Sequence, residues 1–157
     1  MGKYDQYVFN PPHLKLSMKS DGTVFFDGLM AGHKFLGVDF TFGLQIVSKP
    51  FVGDNPCHTH DFQEFMAWYG TNPDDPYDFQ AEVEFYFGEE LEKHVFTKPT
   101  LVSLPPNLPH HPFEITRVDA PIIQVEIMIA HKDVEVIPMF EKDKDYHPLT
   151  HVNREYL

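Results

Sequence analysis

Two histidines and a glutamate, His58, His60 and Glu64, stand within seven residues of this chain. Side chains point alternately to the two sides of a β-strand, so residues separated by an even number of positions share one side. If the segment is a single extended strand, the two imidazoles and the carboxylate therefore point the same way. Imidazole nitrogen and carboxylate oxygen both bind divalent transition metals, so this spacing predicts a metal site.

The competing interpretation is chance, because the chain contains 10 histidines and short motifs specify chemistry loosely. A second segment weakens that interpretation. Pro99 to His111 reads as a strand, a proline-rich turn and a returning strand that carries histidine. Either His110 or His111 would supply a fourth ligand. Three or four protein ligands, with positions left open for substrate, are typical of catalytic rather than structural metal sites.

The elements that would position these residues are short strands. Apolar-rich segments recur along the chain and are separated by Gly, Pro, Asn and Asp, a pattern typical of an all-β sandwich or barrel. The predicted strands are Thr23 to Phe26, Asp39 to Ser48, His58 to Tyr69, Ala81 to Phe87, His94 to Thr97, Thr100 to Leu104, His111 to Thr116 and Ile122 to Ala130. Two stretches are compatible with helix, Met30 to Phe35 and Pro138 to Asp145, and Thr71 to Asp78 reads as an exposed loop.

Composition limits the classes of function. The 157 residues suffice for one domain with a substantial core, so a single domain over residues 1–157 is expected. A formal charge of −12 and the lack of a basic cluster argue against binding to nucleic acids or anionic membranes. No apolar run could span a bilayer and no signal-peptide pattern stands at the start, so a cytoplasmic protein is expected. The lone cysteine, Cys57, fits that compartment and is expected to be buried and inert.

The first histidine segment resembles the first motif of the cupin superfamily, whose members are small β-barrels of the jelly-roll type. The spacing of the three ligand residues is kept, and each flank is one residue shorter than the family pattern. The residues that carry this similarity are Gly53, His58, His60, Glu64 and Gly70.

The second segment resembles the second cupin motif less completely. Pro105 and His110 are in register with it, and this register selects His110 over His111. Asn107 stands where the family usually has Gly, a mild exchange because Asn tolerates left-handed backbone better than other non-glycine residues. Two further positions depart from the pattern: Pro99 stands in place of Gly and Glu114 in place of Asn.

The resemblance implies an all-β fold, a cupin-type jelly-roll barrel (double-stranded β-helix) with short N- and C-terminal extensions and a core over roughly residues 35–130. It also implies one bound divalent transition metal ion. Imidazole suits Fe, Mn, Ni, Zn and Cu, so the metal's identity stays open. The implied ligands are His58, His60, Glu64 and His110.

Cupins catalyse many reactions, so the resemblance does not specify a substrate. The first expectation is an oxygenase acting on a small metal-chelating molecule, because some cupin dioxygenases carry three histidines and a glutamate. Glu64 and Tyr69 are then the candidate catalytic residues. A non-redox lyase or isomerase is nearly as well supported, although Met66 stands where similar lyases carry tyrosine. The competing class is a non-catalytic barrel that binds a metal or a small ligand.

Other polar strand residues are candidates to face a substrate, with plain solvent exposure as the alternative. They are Tyr86, Glu114, Gln124 and Glu126. By strand alternation, His111 is expected to point outward beside His110. The resemblance also implies a homodimer, in which the Phe-rich stretch from Phe25 to Phe42 could cover a partner's sheet edge.

Overall fold

The structure, a computed structural model, describes residues 2–17, 24–53, 56–130 and 136–138. These residues form twelve strands, one short α-helix and one turn of 3₁₀-helix, Asp5–Tyr7. The elements are β1 (His13–Ser17), β2 (Val24–Ala31), α1 (His33–Leu36), β3 (Thr41–Val47), β4 (Phe51–Val52), β5 (His58–His60), β6 (Gln63–Tyr69), β7 (Ala81–Phe87), β8 (Glu92–Phe96), β9 (Thr100–Leu104), β10 (His110–Val118), β11 (Ile122–Ile129) and β12 (Val136–Pro138).

Eight strands pair in a nested, antiparallel order. The first of them, β3, pairs with the last, β11; inside that pair β5 joins β10, β6 joins β9 and β7 joins β8. Further pairing of β11 with β6 and of β10 with β7 produces two facing sheets. A long hairpin folded over in this way is a jelly roll, so the predicted all-β, cupin-type barrel is confirmed.

The remaining strands extend both sheets. The first sheet has the order β1-β2-β3-β11-β6-β9, so the N-terminal extension adds β1 and β2 to one edge. The second sheet has the order β12-β5-β10-β7-β8, and β4 pairs separately with β10. The strand that carries the first two histidines, β5, therefore lies between β10 and β12 rather than at a free edge.

The core lies between the two sheets and is rich in aromatic rings. Trp68 of the first sheet packs against Phe85 and Phe113 of the second, with ring centroids 5.9 and 5.7 Å apart. Burying such large apolar surfaces is the main contribution to the stability of a barrel of this size. The buried cluster comprises Val47, Met66, Trp68, Phe79, Ala81, Val83, Phe85, Val102, Leu104, Phe113, Ile115 and Ile122.

The prediction of one strand from His58 to Tyr69 is wrong. β5 ends at His60, and after Asp61 and Phe62 the chain enters β6, which belongs to the other sheet. Two short strands in different sheets and one continuous strand share the same apolar pattern, because both alternate with period two. The crossing is what brings the start of β6 over the end of β5.

The other predicted elements agree with the structure to different degrees. The strands Ala81–Phe87 and Thr100–Leu104 have the predicted bounds, and the loop from Thr71 to Asp78 is confirmed. The helix predicted from Met30 to Phe35 is only partly correct, because Met30 belongs to β2 and the helix is four residues long. The helix predicted from Pro138 to Asp145 lies outside the described residues, apart from Pro138 at the end of β12.

Gly70, the last residue of the first motif, is required by packing. A Cβ atom at this position would overlap the carbonyl oxygen of Asp78 in the loop beside it. Cys57 is buried, as predicted, and burial raises the pKa of its thiol. Across the part of the chain that the structure describes, no helix has both the length and the apolar character needed to cross a membrane.

Candidate metal centre

Three buried histidines converge inside the barrel. His58 and His60 stand at alternate positions of β5, so both turn to the same side of the second sheet. His110, the first residue of β10, is the direct antiparallel partner of His58. One ring nitrogen from each of the three histidines lies within 4.8 Å of the other two, an arrangement that could hold a metal ion.

The other ring nitrogen of each histidine is held by the main chain. Nδ1 of His58 lies 2.8 Å from the carbonyl oxygen of Pro56, and Nδ1 of His110 lies 2.8 Å from that of Leu108. In the same way, Nδ1 of His60 lies 2.9 Å from the carbonyl oxygen of Phe62. A carbonyl only accepts, so each Nδ1 donates its hydrogen and each Nε2 keeps a lone pair in the neutral ring. This is the tautomer that metal-ligating histidines adopt.

Glu64 meets these rings from the opposite sheet. Its Oε2 lies 2.8 Å from Nε2 of His60 and 3.4 Å from Nε2 of His110. Burial raises the pKa of the Glu64 carboxyl, but protons on Nε2 of His110 and His60, donated to the carboxylate, would hold it well below its usual range. A metal cation in place of those protons favours the carboxylate in the same way. The carboxylate is therefore ionised.

The contact between His60 and Glu64 needs a cation. With Nδ1–H used on the main chain, the neutral His60 ring has only an acceptor at Nε2, and an ionised carboxylate has only acceptors. Two acceptors at 2.8 Å attract each other only when a proton or a metal ion lies between them. Nε2 of His110 is buried and, at 3.4 Å from Glu64, makes no hydrogen bond of normal geometry to the described residues, so its lone pair is available to a metal ion. The donor set thus fits a divalent transition metal.

His111 does not point outward, contrary to the sequence expectation. Its ring is buried and stacks on that of His58, with centroids 4.8 Å apart and an interplanar angle of 29°. The register of β10 against β7 shifts between His110 and Phe113, and His111 has a left-handed φ of 73°, so two consecutive residues face inward. The one sequence signal for this bulge is the proline at position 112, because proline inside a strand is confined to bulges and edges.

A turn ties the two histidine segments together. Asn107 has the left-handed φ of 65° that its place in the motif predicts. Its main-chain N–H donates to the carbonyl oxygen of His60 at 2.8 Å. The turn that precedes His110 is thereby fastened to the end of β5.

Three of the candidate substrate-facing residues lie on the outside of the barrel. Tyr69 is one position out of phase with Glu64 and is 41% exposed, so the structure does not bring this predicted catalytic residue to the site. Tyr86 donates a hydrogen bond from its hydroxyl to Glu84 at 3.1 Å, on the outer side of β7. Glu114 pairs with Glu84 across the sheet and shares that outer side.

Gln124 and Glu126 face the interior. The register of β11 against β6 places Gln124 beside Trp68 and Glu126 beside Met66, both of them core residues. Gln124 is buried and accepts a hydrogen bond from Gln45 at 3.2 Å. Glu126 keeps some accessible surface, as expected of a residue that a small molecule could reach.

Glu126 forms a carboxyl pair with Glu64. Burial, the negative charge of Glu64 and a hydrogen bond to it raise the pKa of Glu126 to about 8. Near neutral pH Glu126 is therefore protonated and donates a hydrogen bond to Glu64. The interior thus combines the three converging histidines and His111 beside them with one carboxylate and one carboxylic acid.

No protein family model and no curated protein matches the chain. Among solved structures, it is similar to a polyketide cyclase, RemF, from Streptomyces resistomycificus, with 14% identity over 82% of this chain and 80% of that chain and a TM-score of 0.48. A sugar phosphate isomerase from a cupin superfamily, from Silicibacter pomeroyi, shares 13% identity over 73% and 66% of the two chains, with a TM-score of 0.49. The DMSP lyase DddQ from Ruegeria pomeroyi shares 13% identity over 66% of this chain, with a TM-score of 0.42, and the match covers only 45% of the lyase. These likenesses concern the fold alone, and the activities in those names belong to those proteins.

Proposed function

We propose that this chain, a member of the cupin superfamily by its strand order and histidine motif, is a metal-dependent enzyme that acts on a small organic molecule. The observation that carries the proposal is the convergence of three buried histidines whose Nδ1 atoms are all tied to main-chain carbonyls. Such hydrogen bonds orient the rings for a metal in advance. The proposed ligands are His58, His60, Glu64 and His110.

The charges at the site favour a chelating, anionic substrate. Three neutral histidines and one ionised carboxylate leave a divalent ion with one unit of positive charge. Glu126 does not change this sum near neutral pH, because its pKa is about 8 and the carboxyl group is uncharged. The enolate of a diketone or a catecholate would match that charge with two neighbouring oxygens. When bound, the metal would supply a Lewis acid and, if it is redox-active, electrons for dioxygen chemistry.

Within this class, an oxygenase is the first proposal. Three histidines and a glutamate are the donor set of the cupin dioxygenases that the motifs resemble. A lyase using a tyrosine near the metal has less support, because Met66 occupies the position two residues after Glu64 and is buried. Tyr69 and Tyr86 both lie on the outside of the barrel.

One observation favours a non-redox isomerase or lyase as the second candidate. Glu126 holds a proton on a carboxyl beside the proposed ligand Glu64, and a pKa of about 8 lies close to the pH at which enzymes work. Such a group can give a proton to a substrate or take one from it, as isomerisation and elimination require.

The test starts with the metal. The purified full chain is analysed for its elements and then, after removal of metal, reloaded with Fe²⁺, Mn²⁺, Ni²⁺, Zn²⁺ or Cu²⁺. Each form is assayed with diketones and catechols on an oxygen electrode, and under nitrogen by proton NMR for exchange or elimination. His60→Ala removes a proposed ligand, and His13→Ala is the matched control because that histidine is exposed at a sheet edge.

We expect about one metal ion per chain in the wild type and in His13→Ala, loss of metal in His60→Ala, and oxygen uptake with the chelating substrates. Turnover that continues under nitrogen would move the assignment to an isomerase or lyase. Tight metal binding without turnover in either assay would identify a binding protein, and full metal content in His60→Ala would refute the site itself.

A further inference from the structure

A pair of glutamines lies inside the barrel, on the inner side of the first sheet. Gln45 of β3 and Gln124 of β11 are direct antiparallel partners, and both are buried. Their neighbours on that side, Trp68 and Ile122, are apolar. Moving an amide from water into apolar surroundings costs free energy unless its polar atoms find hydrogen-bond partners. The hydrogen bonds of this pair therefore decide what it can do.

The main chain fixes how the two amide groups are oriented. The N–H of Asp27 donates to Oε1 of Gln45 at 3.1 Å, so the remaining side of that amide is its NH₂ group. Nε2 of Gln45 in turn donates to Oε1 of Gln124 at 3.2 Å. Each bond assigns oxygen and nitrogen in the next amide, so the series of bonds ends on the NH₂ group of Gln124.

The NH₂ group of Gln124 is a donor without an acceptor. Among the residues that the structure describes, none accepts a hydrogen bond from it, whereas its Oε1 is already used. Gln124 faces the interior and keeps 5% of its surface accessible, so a ligand inside the barrel could reach it. An unpaired donor at a buried position costs free energy that an apolar side chain of similar size would avoid. The missing partner is therefore an oxygen atom that a ligand supplies.

The glutamine pair lies next to the proposed metal site. Glu126, two positions along β11 from Gln124, points to the same inner side and forms the carboxyl pair with Glu64. Polar side chains thus lead from the proposed ligand Glu64 through Glu126 to Gln124. Two positions along a strand are on the order of 7 Å apart, so a small molecule with two oxygen groups about that far apart could bind the metal and Gln124 together.

The surroundings of Gln124 favour a neutral oxygen over a charged one. Across the described strands of the first sheet, the only lysine or arginine is Lys15, and its side chain is 58% exposed. A carboxylate beside Gln124 would therefore be buried without a positive charge to compensate it, which is a costly arrangement. A carbonyl oxygen accepts the same hydrogen bond and carries no net charge.

We infer that Gln124, oriented by Gln45, determines substrate specificity by donating a hydrogen bond to a neutral carbonyl oxygen of the substrate. The inference rests on the proposed function, because the metal would hold the chelating oxygens at the other end of the same molecule. It narrows the substrate class to diketones or catechols that carry a further ketone, aldehyde, ester or amide carbonyl. A site built to donate a hydrogen bond discriminates against ligands that lack the acceptor.

The test measures the binding of three catechols to the zinc-loaded full chain by isothermal titration calorimetry. Zn²⁺ has no redox chemistry, so the ligands are not consumed. Para to one hydroxyl, the ligands carry an acetyl, an ethyl or a carboxylate group, which supply a neutral acceptor, no acceptor and a charged acceptor. Gln124→Met replaces the amide with an apolar side chain of similar length. Gln6→Met, in the exposed turn of 3₁₀-helix, is the matched control.

The quantity compared is the dissociation constant of the ethyl catechol divided by that of the acetyl catechol. The electronic effect of the acetyl group on the catechol oxygens is the same in every variant, so it cancels in the comparison. This ratio should be about tenfold higher in the wild type and in Gln6→Met than in Gln124→Met, as expected for one buried hydrogen bond. An equal ratio in the wild type and in Gln124→Met would overturn the inference. A larger change with the carboxylate than with the acetyl group would overturn the choice of a neutral carbonyl.

The same data separate this inference from the proposed function. If the catechols bind only in the presence of zinc and the ratio does not depend on Gln124, the inference fails and the proposed chelating substrate stands. If none of the three binds the zinc-loaded wild type, both fail. Circular dichroism and zinc content check that Gln124→Met is folded. Should it not fold, Gln124→Asn replaces it, because this change withdraws the amide by one carbon–carbon bond of about 1.5 Å and should abolish the same preference. A wild-type ratio in Gln124→Asn would then overturn the inference.

Discussion

Nε2 of His60 and Oε2 of Glu64 lie 2.8 Å apart, although the two residues belong to opposite sheets of the barrel. The pair is buried, and two lone pairs face each other across this contact. They repel each other unless a cation lies between them. Glu64 is therefore a candidate ligand, because a metal ion bound to the histidines would neutralise its negative charge.

Substitution of Glu64 by Gln keeps the size of the side chain and removes its charge. We expect metal affinity to fall at least about tenfold, because even residues that only support a ligand cost 10- to 100-fold when changed. Competition with a coloured chelator measures the affinity. Glu84→Gln, on the outer side of β7, should bind metal as the wild type does. Equal affinity of Glu64→Gln and wild type would show that Glu64 is not a ligand.

Substitution of Glu126 by Gln keeps a hydrogen bond donor beside Glu64 but removes the exchangeable acid. We expect kcat to fall about 100-fold with the substrate found by the assays above, since positioned acids and bases contribute 10²- to 10⁴-fold. Metal content should not change. Tyr69→Phe is the control, because that hydroxyl lies outside the barrel, and its kcat should equal that of the wild type. A Glu126→Gln enzyme with unchanged kcat would remove the residue from the reaction.

The metal-free protein should lose stability as the pH falls from about 6.5 towards 4. Burial and the neighbouring His110 lower the pKa of His58 to about 4, and burial lowers the pKa of His111 well below its usual value. The unfolded chain therefore takes up protons at a higher pH than the folded chain, so acid favours unfolding. The stability that His58 contributes is present above its unfolded pKa and is lost as the pH falls through the folded one.

The size of this loss of stability follows from the pKa shift of His58. A shift of one pKa unit corresponds to about 1.4 kcal/mol, so His58 alone should account for a few kcal/mol between pH 7 and pH 4. Urea unfolding of the chelator-treated protein at several pH values measures it. His58→Gln removes the titrating group and should flatten the pH dependence. If the free energy of unfolding depends on pH equally in this variant and in the wild type, His58 does not cause the loss of stability in acid.

Asn107 should be replaceable by Gly but not by Ala. Its φ of 65° costs a residue with a Cβ roughly 1–2 kcal/mol, less for Asn, and nothing for Gly. We expect Asn107→Ala to lower the free energy of unfolding by about 1 kcal/mol and Asn107→Gly to leave it within about 0.5 kcal/mol of the wild type. Urea midpoints of the metal-free proteins compare them. Identical losses in both variants would mean that the asparagine side chain, rather than the backbone conformation, matters here.

Several features of this protein could be predicted from its sequence because they depend on local pattern. Strand-forming segments such as Ala81–Phe87 follow from period-two alternation. The turn at Asn107 follows from the tolerance of asparagine for left-handed backbone. The three convergent histidines follow from the spacing of His58 and His60 and from the register of the second motif.

What the sequence left undecided depends on pairing between distant strands. The inward position of His111 arises from a register shift against β7, and the meeting of His60 with Glu64 arises from a crossing between sheets. Alternation fixes which residues share a face but not whether that face points inward. In β11 the wholly apolar face, with Ile123, Val125 and Ile127, points outward, and the face that carries Gln124 and Glu126 points inward. The outward position of Tyr69 and the inward position of Glu126 are therefore set by the packing of the two sheets, because this packing assigns one face of each strand to the core.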